Sequence, residues 1–361
     1  MKHQRKWANK DPAEVGDTKG GPMKHLLICA IAALTCAPAC AQSPQASWIM
    51  PELMAGAKAE GQLTVYSSTN EQEGLPLWKL YEEATGVKVN YIRGAESPLH
   101  AKIALEARTG QHSWDVHNAG TVNMIPENLA LQFEPPNAKD IMPEARDPNK
   151  RWYGVYAGYS VPQYNTNLVK PDELPKTFED FLTRKQWVGR LAIEATDRDW
   201  MDAVLQFYGR DKGLKLLRDI QATLKPVVLD GHFAMARQIA AGEYPIALMN
   251  YSMLTTNLKQ QGAPTDYVAL DPVHLWFGMV GVNKNAPHPN AAKLAANFLL
   301  SREAQEFSAK MGGRVPTRLD VESNPKDLRQ RMNEKKVIFL QHTAEQAKAS
   351  QKVFDEIFKP R

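Results

Sequence analysis

Four short polar clusters each follow an apolar run of strand length, and their residue types suit the capture of a small polar ligand. Ser67-Ser68-Thr69 follows Leu63-Thr64-Val65-Tyr66 and precedes a helical pattern. Hydroxyls and free backbone N–H groups at a helix start suit an anion, aided by the helix dipole, and they equally serve as plain N-caps. Ligands of open α/β sheets collect at the carboxyl ends of strands, where this loop lies. Asn118-Ala119-Gly120-Thr121 follows the run Trp114–His117, and its small residues allow close backbone approach to a ligand or form an ordinary turn. Thr196-Asp197-Arg198-Asp199-Trp200 follows Arg190–Ala195. Arg198 suits a bidentate pair with a carboxylate or phosphate, or a pair with Asp197 or Asp199 facing water. Trp200 suits stacking on a planar ligand or a place in the core. Asn250 and Tyr251 follow the apolar run Ile246–Met249.

Patterns for catalysis or metal binding are missing from the sequence. It contains no H-E-x-x-H, C-x-x-C or Walker glycine loop, and no G-x-S-x-G elbow. His112, His117, His232, His274, His288 and His342 show no metal-ligand spacing. Asp197 and Asp199 lie close in sequence on an expected loop, but nothing else in the sequence marks them as a catalytic carboxylate pair, which has weak support. The residues thus give no support for a catalytic residue, a metal site or a cofactor.

The 361 residues suggest about two domains. With 43% hydrophobic and 23% charged residues the composition is that of a globular protein. A net charge of +4 gives nucleic acid no electrostatic footprint. Cys29, Cys36 and Cys40 all fall in one apolar segment, Leu26 to Ala41, which follows Lys24 and His25 and ends in Ala39-Cys40-Ala41. That is the layout of a secretory signal peptide, too short for a membrane span, with Met23 as a plausible start. Residues 1–41 carry six Lys/Arg against three Asp/Glu, so their removal takes the net charge from +4 to +1 and leaves no cysteine. Cys40 offers a lipid-anchor alternative, although Ala37-Pro38-Ala39 before it lacks the Leu of a good lipobox.

Beyond residue 48 the pattern alternates strand and helix, which implies parallel sheet with helices on both faces. Val87, Val89 and Tyr91 alternate as a strand, and Pro98 to Thr109 reads as a helix stopped by Gly110. Thr177-Phe178-Glu179-Asp180 resembles a capping box. Asp199 to Ala222 reads as one long helical stretch tolerating Gly209 and Gly213, Phe233 to Ala241 as a helix closed by Gly242, and Tyr267 to Leu270 as a strand. Two stretches depart from this grammar. Tyr153 to Tyr164 is aromatic and alternating, with Tyr153 and Tyr159 on one parity and Tyr156 on the other. Asp271 to Val282 is its counterpart and carries His274 and Trp276.

The run N-A-P-H-P-N-A-A-K-L-A-A-N-F-L-L-S-R-E-A-Q at 285–305 resembles the signature of extracellular solute-binding proteins of bacterial ABC importers, in their ferric-iron-binding-like branch. L-T-V-Y-S-S-T-N at 63–70, A-K-I-A-L-E-A-R-T-G-Q-H-S-W-D-V at 101–116 and V-P-Q-Y-N-T-N-L-V at 161–169 extend the resemblance over nearly the whole mature chain. It implies an α/β architecture of the type II periplasmic-binding-protein fold, with two lobes joined by a two-crossover hinge. Lobe one would take residues 48–155 plus 275–361, with a C-terminal helix near Thr343–Phe358 packed back on it. Lobe two would take 156–274, and a ligand would sit between the lobes, which close by a hinge motion.

The resemblance further implies a monomer that carries a small-molecule ligand through the periplasm to an inner-membrane ABC permease. Its ligand contacts would come from Ser67, Ser68, Thr69, Asn118, Tyr159, Thr196, Arg198, Asn250 and Tyr251, with His274 and Trp276 on the hinge segments. Iron-binding members place an adjacent Tyr-Tyr pair where this chain reads Asn250-Tyr251-Ser252-Met253. Ferric ion favours anionic oxygen such as phenolate, so the expected ligand is a small organic anion, with a ferric complex as the alternative. A secreted enzyme on the same fold is the alternative of another class.

Overall fold

The computed structural model describes residues 46–120 and 125–359. The expected signal segment with its three cysteines lies outside them, as does Thr121. A helix over Pro51–Glu60, which the sequence pattern does not mark, starts on a proline and ends at Gly61 with φ 71.

β1 (Gln62–Ser67), β2 (Lys88–Arg93) and β3 (Val116–Ala119) form a parallel group with β1 in the centre. Between them run the helices Glu71–Thr85 and Glu96–Arg108. Asn70 starts the first of these, its Oδ1 accepting from Glu73 N at 3.0 Å. β4 (Trp152–Val161) then passes through Pro162 into β5 (Gln163–Asn165). β6 (Leu191–Glu194), β7 (Val227–Leu229), β8 (Ile246–Ala247), β9 (Asn250–Tyr251) and β10 (Thr265–Tyr267) follow. β11 (Val273–Val282), β12 (Val315–Pro316) and β13 (Val337–Phe339) complete the set.

These strands make two sheets. The first has the order β12-β4-β11-β3-β1-β2, with β13 on β11 and β9 on β4; the second runs β10-β5-β8-β6-β7. The protein is thus two α/β lobes joined by crossovers at Pro162 and at 268–272. One core gathers Trp48, Tyr81, Trp78 and Phe298 behind the first sheet; the other gathers Phe178, Phe181 and Trp200 behind the second. Among the described residues no helix is long and apolar enough to cross a membrane.

Several expectations change. Asn118-Ala119 and Asn250-Tyr251, expected to follow strands, lie in β3 and β9. The stretch 199–222 is two helices, Arg198–Tyr208 and Arg210–Leu224, broken where Gly209 takes φ 81. The strand expected at Tyr267–Leu270 lies earlier, at Thr265–Tyr267, where it pairs antiparallel with β5. The parity of the tyrosines also shifts, because the β4–β11 register slips between Gly278 and Met279. Tyr156 and Tyr153 face Gly278 and Val280, two residues apart, so they share a face, and Tyr159 opposite Leu275 takes the other.

The largest change is the C-terminal helix Ala344–Phe358. It does not pack on the first lobe: Phe354, Ile357 and Phe358 enter the second core, against Arg198–Tyr208 and Arg210–Leu224. Its amphipathic stripe specifies an apolar docking surface without saying whose. β13 still lies on the first sheet, so the chain passes between the lobes again at 340–343.

Candidate functional site

The carboxyl ends of β1 and β3 lie side by side because the two strands pair in parallel. Ser67 Oγ, fully buried, donates to Asn118 O at 2.8 Å and accepts from Thr69 N at 3.1 Å, which fixes both loop ends. Asn118 turns inward and donates to Met279 O at 2.9 Å. Ser68 Oγ donates to Glu96 Oε1 at 3.2 Å, and Gly120 N donates to the same oxygen at 2.8 Å. Of the donors expected to meet an anion, the Ser68 hydroxyl thus holds a carboxylate of the protein itself, and Ser67 Oγ and Thr69 N are used within the loops.

Next to these loops a cavity of about 20 Å³ is lined by Thr69, Glu73, Asn118, Tyr156 and Arg314 among others. Arg314 is buried, with Nε donating to Glu73 Oε2 at 2.8 Å and its guanidinium 3.9 Å from the Tyr156 ring centroid. From Tyr156 a line of rings runs between the lobes. Tyr156 meets Trp276 edge-on at 5.9 Å, Trp276 meets Tyr251 at 4.6 Å, and Tyr251 meets His232 at 3.8 Å between centroids. Two glycines make room for it: a Cβ on Gly278 would lie 2.1 Å from the Tyr156 ring, and one on Gly158 would lie 2.3 Å from Trp276.

At the far end Glu194, Asp197 and His232 converge. Glu194 ends β6, Asp197 follows three residues later as the residue before the helix Arg198–Tyr208, and His232 opens the helix His232–Ala241 after Gly231. Thr196 N and Oγ1 donate to Glu194 Oε2 at 2.7 and 2.6 Å, and Gly231 N donates to Oε1 at 2.9 Å. Asp197 Oδ2 accepts from Glu194 N at 3.2 Å, while its Oδ1 is buried without a hydrogen-bond partner among the described residues. His232 Nε2 lies 3.4 Å from that Oδ1 and 3.5 Å from Glu194 Oε2. Burial, with Glu194 adding to it, pushes the Asp197 carboxyl well above the usual carboxylate range. Burial takes His232 down to about 4 despite the nearby Glu194. The Tyr251 phenol goes up through burial, then through Asp197, Glu96, Glu194 and Asp199.

The structure therefore gathers Thr69, Asn118, Thr196 and Tyr251 near this line, with Ser67 and Ser68 supporting the first loop. Asn250 is fully buried and ties Tyr251 in place, its Nδ2 donating to Gln163 Oε1 at 2.7 Å and its Oδ1 accepting from Tyr251 N at 2.8 Å. Tyr159 is 1% exposed and stands on the opposite face of β4 from Tyr156. Arg198 turns to the C-terminal helix, with Nη1 3.4 Å from Gln351 Oε1 and Nε 3.6 Å from Asp199 Oδ1. His274 bonds Ser160 at 3.1 Å, and Trp200 lies in the second core.

Sequence reasoning singled out none of Glu96, Glu194, His232 and Arg314 as a candidate. A charged residue closing the apolar run Leu191–Ile193 was the available signal for Glu194. Glu194 and Asp197 lie three residues apart but His232 is distant from both in sequence, so no local spacing marks the three, yet their donor atoms all lie within 4.8 Å of one another.

Two lobes with facing strand ends and a line of side chains between them are the architecture of a solute-capture protein. The profile of the family described as bacterial extracellular solute-binding protein matches residues 77–331. The chain belongs to that family. Among its relatives is Iron uptake protein A1 of Synechocystis, 23% identical over 311 residues, covering 79% of this chain and 82% of the relative. A putative 2-aminoethylphosphonate-binding periplasmic protein of Salmonella typhimurium is 25% identical over 282 residues, 73% of this chain and 81% of its own. Among solved structures, the periplasmic binding protein AfuA from Actinobacillus pleuropneumoniae, with fructose-6-phosphate bound, superposes with a TM-score of 0.71 at 24% identity over 83% of this chain and 99% of that one. As a family member the chain is a solute-binding component of the periplasmic transport class, and the relatives it matches are binding proteins.

Proposed function

We propose that this chain captures a small bifunctional solute between its lobes and hands it to an inner-membrane ABC permease, as a monomer and without catalysis. The observation that carries this reading is the unbroken line of side chains from Arg314 through Tyr156, Trp276 and Tyr251 to His232. One end is Arg314, whose charge is shared with Glu73, and the other is the acidic pole of Glu194 and Asp197. An anionic group of the solute meets Arg314 and the Thr69 loop. Its other end presents a hydroxyl, an ammonium or a cation to the carboxylates, and rings line the space between. Phosphonates carrying an amine and sugar phosphates, the ligands in the names of two relatives, both have this polarity.

In this reading the first lobe takes residues 46–161 and 273–343, and the second takes 162–272 and 344–359. The leader ends at Ala41, and N-terminal sequencing of periplasmic protein begins at Gln42; a lipidated Cys40 would replace that outcome. A ferric ion or chelate is the second reading, favoured by the oxygen-rich wall of Glu194, Asp197 and Tyr251.

The test is thermal-shift screening against carboxylates, phosphonates and sugar phosphates, followed by calorimetry of the best hit. A charge-assisted hydrogen bond contributes roughly 1.5–3 kcal/mol, so Arg314→Gln weakens that solute by about ten- to a hundredfold. Stabilisation by no anion in the set overturns the ligand class.

A further inference from the structure

The acidic pole has a geometry that hydrogen bonding alone does not explain. His232 Nε2 stands 3.4 Å from Asp197 Oδ1 and 3.5 Å from Glu194 Oε2, beyond good N–H···O distances. Asp197, at 3% exposure, aims that oxygen at the imidazole with no hydrogen-bond partner among the described residues. Burying a carboxylate uncompensated is costly.

We propose that Glu194, Asp197 and His232 hold a first-row divalent cation of the zinc type, with a fourth position open to the cleft where an oxygen of the solute binds. This rests on the reading of the cleft as the solute site. Metal–ligand bonds of about 2.0–2.1 Å in a tetrahedron give ligand–ligand edges of roughly 3.3–3.4 Å, and the two distances from His232 match those edges. The Glu194 carboxylate is held by Thr196 N, Thr196 Oγ1 and Gly231 N, the kind of outer support that orients a ligating carboxylate. Two carboxylates, a neutral imidazole and a divalent ion sum to zero charge, which removes the penalty of the buried acid. With the ion in place, the acidic end receives a hydroxyl or other oxygen of the solute in place of an ammonium. One imidazole with two carboxylates suits zinc-like ions, whereas magnesium prefers an octahedral shell of oxygens that keeps several waters.

The experiment is calorimetric titration of the chelator-stripped, exported chain with Zn²⁺ alone and with Mg²⁺ alone. One-to-one Zn²⁺ binding at least about a hundredfold tighter than Mg²⁺ is expected. His232→Ala weakens Zn²⁺ by at least about a hundredfold, and Thr196→Val, which releases Glu194, by about ten- to a hundredfold. Asp197→Asn separates a ligand from a structural group. The metal-free variant melts at the same or a higher temperature than wild type, since a buried acid is gone, yet Zn²⁺ no longer raises its melting temperature. A purely structural Asp197 would instead lower the metal-free melting temperature. Absence of saturable Zn²⁺ binding, or equal affinity in wild type and His232→Ala, overturns the proposal. The solute reading is judged separately. If phosphonates or sugar phosphates stabilise metal-free and zinc-loaded protein equally, the solute's bond to the ion is overturned and the solute site stands. If they stabilise neither form, the solute reading falls and the zinc titration still decides the metal.

Discussion

Tyr251 lies against the His232 imidazole with ring centroids 3.8 Å apart, so the last ring of the line packs on the histidine of the acidic pole. Aromatic contact is worth about 0.5–1.5 kcal/mol beyond area burial. Tyr251→Ala should weaken solute binding by about ten- to a hundredfold in calorimetry, while Tyr251→Phe keeps most of it. Burial and the facing carboxylates hold the phenol protonated. Ferric citrate should accordingly give no strong tyrosinate-to-iron absorption in the visible. An intense band that Tyr251→Phe abolishes would restore the iron reading.

Arg198 makes its contacts with Gln351 and Asp199 rather than with the ring line. Its removal should therefore act on the docking of the C-terminal helix. Arg198→Ala is expected to lower stability by about 1 kcal/mol while changing solute affinity less than about threefold. Denaturant unfolding and calorimetry on the same preparation check this, and a tenfold or greater loss of affinity would return the guanidinium to the cleft.

His342 bridges Asp199 at 3.1 Å and Asp202 at 3.2 Å, and hydrogen bonds to these two carboxylates raise it to about 9. The folded value lies above the ordinary imidazole value, so the contribution is complete below about pH 6.5. It falls as pH rises and is gone above about 9. His342→Gln should cost about 1–3 kcal/mol near pH 6, and wild-type and variant melting temperatures should converge by about pH 10. A difference that does not shrink with pH would show that the imidazole acts by packing alone.

Gly278 carries the Tyr156 ring against its backbone, where a methyl would lie 2.1 Å from ring carbon. Gly278→Ala must swing the ring, at an overpacking cost of about 1–3 kcal/mol. Because Tyr156 joins Arg314 to Trp276, solute affinity should fall by about tenfold or more. Unchanged calorimetry with Gly278→Ala would remove Tyr156 from the binding surface.

The strand ends were partly legible because alternation and apolar runs reveal where strands stop: Ser67 ends β1 and Thr196 lies just past β6, whereas Asn118 lies inside β3 and Asn250 opens β9. The line of rings was partly legible through Trp276 and Tyr251. Its Tyr156 member was not, since the slip in register at Gly278 cannot be read from alternation. Glu194 and His232 stay hidden for a different reason: parallel pairing of β6 with β7 joins residues far apart in sequence, and no local spacing encodes that. The break at Gly209 was misread because a helix can absorb a glycine, and only its left-handed backbone angle decides the matter.

The passage at 340–343 has a mechanical consequence. Two rigid bodies joined only along one line swing about it like a door. Here a further strap leaves β13 on one body and is anchored on the other by Phe354, Ile357 and Phe358. Four residues have little slack, with about 3.3–3.6 Å of reach each. Opening beyond that reach must stretch the strap or lift its anchor, so the C-terminus limits how wide the mouth can gape.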